Sequence, residues 1–90
     1  MNGDVILRAD GSDPVSVTPS NARKGYSLAE LYEHTASEMV EIVQTRDAGL
    51  ILVCDEEGLL NKKPLNVRAS FLAGQPIVGD VLVCSDSHVK

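Results

Sequence analysis

Leu50-Ile-Leu-Val-Cys-Asp-Glu-Glu-Gly58 and Ile77-Val-Gly-Asp-Val-Leu-Val-Cys84 are the two stretches whose reading decides the fold. Residues 50–54 show no polar alternation, which predicts a strand covered on both faces, in the middle of a sheet. Asp55-Glu56-Glu57-Gly58 terminates it. Residues 77–84 read as the last strand, with Gly79-Asp80 as a bulge. Between them, residues 59–76 carry Pro64, Gly74 and Pro76, too many breakers for one long helix. A single helical turn around residues 67–72, capped by Asn66, is compatible with that spacing.

Working outward, residues 39–45 alternate and are β-branched, so they form a strand joined to residues 50–54 through Arg46-Asp-Ala-Gly49. Ser27-Leu-Ala-Glu30 is a capping box that starts a helix of about three turns ending near Ala36. Tyr26 is placed to pack on Leu31, and Glu30, Glu33 and His34 are expected to face outward. Near the start, Val5-Ile-Leu-Arg8 and Val15-Ser-Val-Thr18 form a hairpin around the turn formers Asp10-Gly-Ser-Asp-Pro14. Pro14 and Pro19 mark its second strand as an edge. The predicted order is β-β-α-β-β-loop-β: one small α+β domain over residues 1–90, a largely antiparallel sheet of about five strands with one helix on one face. Residues 85–90 read as a frayed tail.

Composition narrows the function classes. Thirteen acids against eight bases give a net charge of −5, which disfavours binding to nucleic acid or anionic membrane. With no tryptophan, one phenylalanine and two tyrosines, the core is aliphatic and no base-stacking platform is expected. The chain has no run of about 20 apolar residues to span a membrane and opens without a signal-peptide pattern, so a cytoplasmic location is expected. Cys54 and Cys84 end apolar runs and read as reduced, structural thiols; a disulfide requires their strands to be neighbours.

No nucleophile elbow, P-loop or dinucleotide fingerprint is present, so no catalytic residue, metal site or cofactor is expected. Asp55, Glu56 and Glu57 are consecutive and read as a solvated turn. The remaining constellation is Asn61, Asn66, Arg68 and Ser70. Its structural reading has these side chains satisfying loop backbone, with Arg68 clamping Glu41 or a carboxylate of residues 55–57. Its functional reading has Asn66, Arg68, Asn61, Glu56 and Glu57 contacting a partner or ligand.

Glu56-Glu57-Gly58, Pro64-x-Asn66-x-Arg68-Ala69-Ser70 and Val78-Gly-Asp-Val-Leu-Val83 resemble a family of small proteins of bacteriophages, plasmids and other mobile elements, known as a domain of unknown function. Arg8-x-Asp10-Gly11 and Val40-Glu-Ile-Val43 are similar too. Members of that family carry glycines between helix and third strand, where this chain has Ala36-Ser37-Glu38. The resemblance implies a mobile-element accessory protein. The leading expectation is therefore a non-enzymatic interaction module that binds a host protein, with inhibition of host defence as one role. The alternatives are a nucleotide-like ligand held by residues 59–76, and self-assembly into a homodimer through the Val15–Thr18 edge or an edge created by the last strand.

Overall fold

The computed structural model describes residues 3–89. Its strands are β1 (Asp4–Leu7), β2 (Val15–Val17), β3 (Val40–Gln44), β4 (Leu50–Asp55) and β5 (Val81–Ser85). Helix α1 (Leu28–Thr35) lies between β2 and β3, and helix α2 (Val67–Ala73) between β4 and β5. The result is an α+β architecture: one antiparallel sheet in the order β2-β1-β5-β4-β3. The last strand of the chain is thus the centre of the sheet, and β2 and β3 are its two edges.

Side-chain parity divides the core into two layers. Ile6, Leu82, Cys84, Ile51 and Val53 face one way and meet Tyr26 and Leu31. Leu7, Val81, Val83, Leu52 and Cys54 face the other way and meet Ala69 and Ile77. Helix α1 covers the first face and α2 stands on the second. The sequence pattern of residues 50–54 and 81–84, apolar at every position, is the direct cause of this two-sided burial.

Four expectations are corrected. The sheet carries two helices rather than one, because Pro64, Gly74 and Pro76 bound α2 instead of breaking it. Asn66 caps its start, and Gly74 ends it in the left-handed conformation at φ 70°. Residues 77–80 do not belong to the last strand. Val78 makes an isolated bridge to Leu65, and Gly79, at φ 80°, turns the chain back while its N–H donates to the Pro64 carbonyl at 2.8 Å. Since β5 is central, it offers no edge to a second copy. Finally, residues 86–88 form a single 3-10 turn bonded to the domain, not a loose tail; Lys90 lies outside the described residues.

Helix α1 starts as its capping box predicts, with Ser27 and Glu30 exchanging both bonds. Its far end is less comfortable. Ala36 caps it at φ 50°, ψ 48°, a conformation that costs an L-residue roughly 1–2 kcal/mol and glycine almost nothing. Ala36→Gly relieves that strain against a smaller loss from the freer unfolded chain. The expected outcome is stabilisation by about 0.5–1 kcal/mol, read as a higher denaturant midpoint with an unchanged slope.

Candidate functional site

The residues singled out from sequence fall into two groups on opposite sides of the β4–β5 crossover. Asn66 and Arg68 sit at the start of α2. Asn66 is only 1% exposed. Its amide donates to the carbonyls of Leu7 and Gly79, both at 2.8 Å. Its Oδ1 accepts from Ala69 N–H at 3.1 Å. Its backbone N–H donates to Ile77 O. One asparagine therefore joins β1, the loop before β5 and the helix cap. Ser70 completes the arrangement: its Oγ donates to Asn66 O at 2.7 Å and accepts from Ile77 N–H at 2.8 Å.

Arg68 reaches neither Glu41 nor the acids of residues 55–57. Its guanidinium donates to the carbonyls of Ser12 at 2.6 Å and Arg8 at 3.3 Å, pinning the β1–β2 turn against α2. The distance in sequence, 56 and 60 residues, explains why no local pattern revealed it.

Glu57 and Asn61 lie at the other end. They line an open cleft of about 620 Å³ with Tyr32, Glu33, Ser37 and Glu38. Asp55 is buried beneath this region and pairs with Lys63 at 2.8 Å. Burial opposes ionisation of Asp55. The Lys63 ammonium, the Glu57 N–H and Asn61 together outweigh it and hold the carboxyl below its ordinary range. Lys63 also donates to the carbonyls of Thr35 and Ala36 at 3.1 and 2.7 Å, so a cation seats the C-terminal end of α1. Glu56 is exposed and does not line the cleft. Among the described residues no cluster of histidine, cysteine or carboxylate side chains is arranged to hold a metal ion.

One polar cluster was missed from sequence. Asp4, 5% exposed, accepts from the Tyr26 hydroxyl at 2.6 Å and lies 2.7 Å from His88 Nδ1. Tyr26 N–H donates to His88 O at 2.8 Å, and a Cβ on Gly25 would run into that same carbonyl. His34 closes the group edge-on to the Tyr26 ring, 5.9 Å between centroids. The available signal was Asp4 itself, a carboxylate at an inward position of an apolar strand, which needs buried partners. Spacing gave no hint that those partners are residues 26 and 88. An aspartate holding a histidine through Nδ1 is the orienting half of a hydrolytic triad, but no hydroxyl or thiol among the described residues is bonded to either imidazole.

The thiols are buried and free. β4 and β5 are neighbours, yet Cys84 pairs with Ile51, three positions from Cys54, so the two sulfurs occupy opposite faces of the sheet. No bridge between them fits that parity. Burial pushes Cys54 up to about 11 and Cys84 to about 12.

The second face of the sheet is incompletely roofed. Beside α2 runs an apolar groove of about 470 Å³, floored by Val5, Leu7 and Val83 and flanked by Pro14, Leu72 and Arg68. Val67 and Phe71 stand on its rim, 69% and 84% exposed. Phe71 is the chain's single phenylalanine. Nothing in the sequence marks Phe71 as exposed, because the single helical turn expected around residues 67–72 defines no outward face.

No curated protein and no solved structure matches the chain. The family model described as Domain of unknown function (DUF3846) matches residues 1–89, and the chain belongs to that family. Among the described residues no helix is long and apolar enough to cross a membrane.

Asn66→Ala strands two buried carbonyls and one amide and removes a cap, costing about 3 kcal/mol. Asn61→Ala, exposed, costs under about 0.5 kcal/mol. Urea titration of both variants checks this. Unfolded thiols ionise near 9.0, so above that pH the unfolded chain releases protons that the native chain keeps. Tyr26, raised by burial and by Asp4, acts in the same direction. Stability therefore falls as pH rises above about 9. At neutral pH neither cysteine reacts with a thiol reagent until the protein is denatured.

Proposed function

We propose that this protein is a non-enzymatic interaction module, a mobile-element accessory protein acting in the cytoplasm, that binds a host protein through the α2 face. The observation that carries this reading is Phe71. A lone aromatic residue at 84% exposure, next to an apolar groove, is the arrangement of an interface anchor rather than of an ordinary solvent-facing helix. Val67 extends the same stripe one turn earlier, and the groove supplies the depth that a partner side chain fills.

Charge selects the kind of partner. Arg68 lines the groove, and Arg46 lines an adjoining hollow with Phe71 and Leu72. In an acidic chain, two arginines beside the apolar surface favour a segment whose aliphatic side chains are flanked by carboxylates. Interference with a host-defence factor is one role that such a surface serves. The non-enzymatic reading is supported by the residues themselves: Asn66 and Arg68 are engaged with the protein's own carbonyls, and among the described residues no hydroxyl or thiol is bonded to the His88 imidazole.

A second reading has a specific observation behind it. The cleft bordered by Glu33, Glu38 and Glu57 is large enough for a small ligand. Its three carboxylates favour a cation over the nucleotide-like ligand suggested by sequence.

Position 71 separates these readings. A photo-crosslinking residue at 71 is expected to capture one partner repeatedly in cells, whereas the same residue at Leu59, equally exposed, captures none. The captured protein, once purified, is expected to bind wild type and Glu57→Gln alike and to lose at least about tenfold affinity for Phe71→Asp, a difference of about 1.4 kcal/mol. Phe71→Asp melts within about 0.5 kcal/mol of wild type, since its side chain is exposed. Undiminished binding by Phe71→Asp overturns the reading.

A further inference from the structure

The two edges of the sheet are built differently. β2 has three residues and lies between Pro14 and Pro19, so it is short and guarded. β3 has five residues, Val40–Gln44, with no proline, no lysine and no interruption in its pairing to β4. Its middle residue, Ile42, is 49% exposed.

The direction of the free backbone groups follows from one bond. Glu56 N–H donates to Met39 O at 3.0 Å, so residue 39 turns its polar groups toward β4. The Glu41 carbonyl, near Cys54 Sγ at 3.9 Å, points the same way. By alternation, the N–H and C=O groups of Val40, Ile42 and Gln44 point away from the sheet. These three residues are placed symmetrically about Ile42.

We propose that a second copy of this chain pairs antiparallel along β3, with the two-fold axis at Ile42, to give one sheet continuous through both molecules. In that register Ile42 exchanges both backbone bonds with Ile42 of the second copy, and Val40 does so with Gln44. Each outward-facing donor and acceptor of the strand is then satisfied. Glu41 falls opposite Val43, so no like charges oppose each other directly. Each exposed Ile42 side chain covers the other on the α1 side of the sheet. A second copy is favoured over an unrelated strand because this symmetry is a property of the five residues themselves: an isologous contact requires a self-complementary patch, and this is one. The net charge of −5 on each copy opposes association, so added salt strengthens the dimer. The α2 surface lies on the other face of the sheet and stays open, so this inference is independent of the proposed function.

Sedimentation and cross-linking test it. Wild type is expected to sediment as a dimer in the micromolar range, with the dimer fraction rising as salt is added. Ile42→Lys, which guards the edge, shifts it to monomer with little change in melting. Ile42→Cys is expected to form a disulfide-linked dimer on mild oxidation, since the paired Cα atoms lie about 5.5 Å apart; the buried native thiols do not react. Leu59→Cys gives no such species. Wild type that remains monomeric throughout this range overturns the proposal. A dimer unaffected by Ile42→Lys, or an Ile42→Cys protein that fails to cross-link, overturns it equally.

Discussion

Burial of β4 and β5 on both faces is the constraint from which the other features follow. A strand dry on one side needs one covering layer. Two adjacent strands dry on both sides need two, and a chain of ninety residues has little left with which to build them. One helix takes each face. α1 packs over β3, β4 and β5 on one side. On the other, seven residues of α2 and the loop around Ile77 do the same work over a smaller area. The shortage is visible where it ends: the groove beside α2 is the part of the sheet that the chain does not cover.

Short layers also leave many backbone polar groups close to the core without a ladder partner. Two side chains answer most of this need. Asn66 satisfies the carbonyls of Leu7 and Gly79, while Lys63 joins Asp55 to the end of α1. Both come from the segment that sequence reading treated as an irregular crossover. Asn61, Lys63, Asn66, Arg68 and Ser70 all bond from it to the rest of the domain or across it. For this reason the residues that looked most like ligand contacts, Asn66 and Arg68, are engaged internally. Two apolar residues of the same helix, Val67 and Phe71, are the ones facing solvent.

How much of this was legible depended on range. The hairpins, the capping box, the doubly covered strand and the antiparallel α+β class are written in patterns of two to eight residues, and they were read correctly. α2 was half seen: its cap was named, but its flanking prolines and glycine were counted as breakers within it rather than as its limits. Strand order was beyond reach. Nothing near residues 81–85 states that they insert between β1 and β4, because that outcome depends on pairing with residues over seventy positions away. The Asp4–Tyr26–His88 cluster was invisible for the same reason, being assembled from three segments that the sheet brings together. Glu57 and Asn61 do share a cleft, while Glu56 stands outside it.

Placing β5 at the centre of the sheet has a consequence during synthesis. A ribosome releases β1–β2 and β3–β4 as two separate hairpins, neither of which buries enough surface to persist alone. Until residues 81–85 have emerged, β1 and β4 each present an unsatisfied inner edge and an apolar face to solvent. The sheet closes in one late event of high contact order, which makes closure slow compared with the local hairpins. A nascent chain interrupted before that strand carries two sticky half-sheets and no core, making it a natural client for chaperones and proteases rather than a partly working protein.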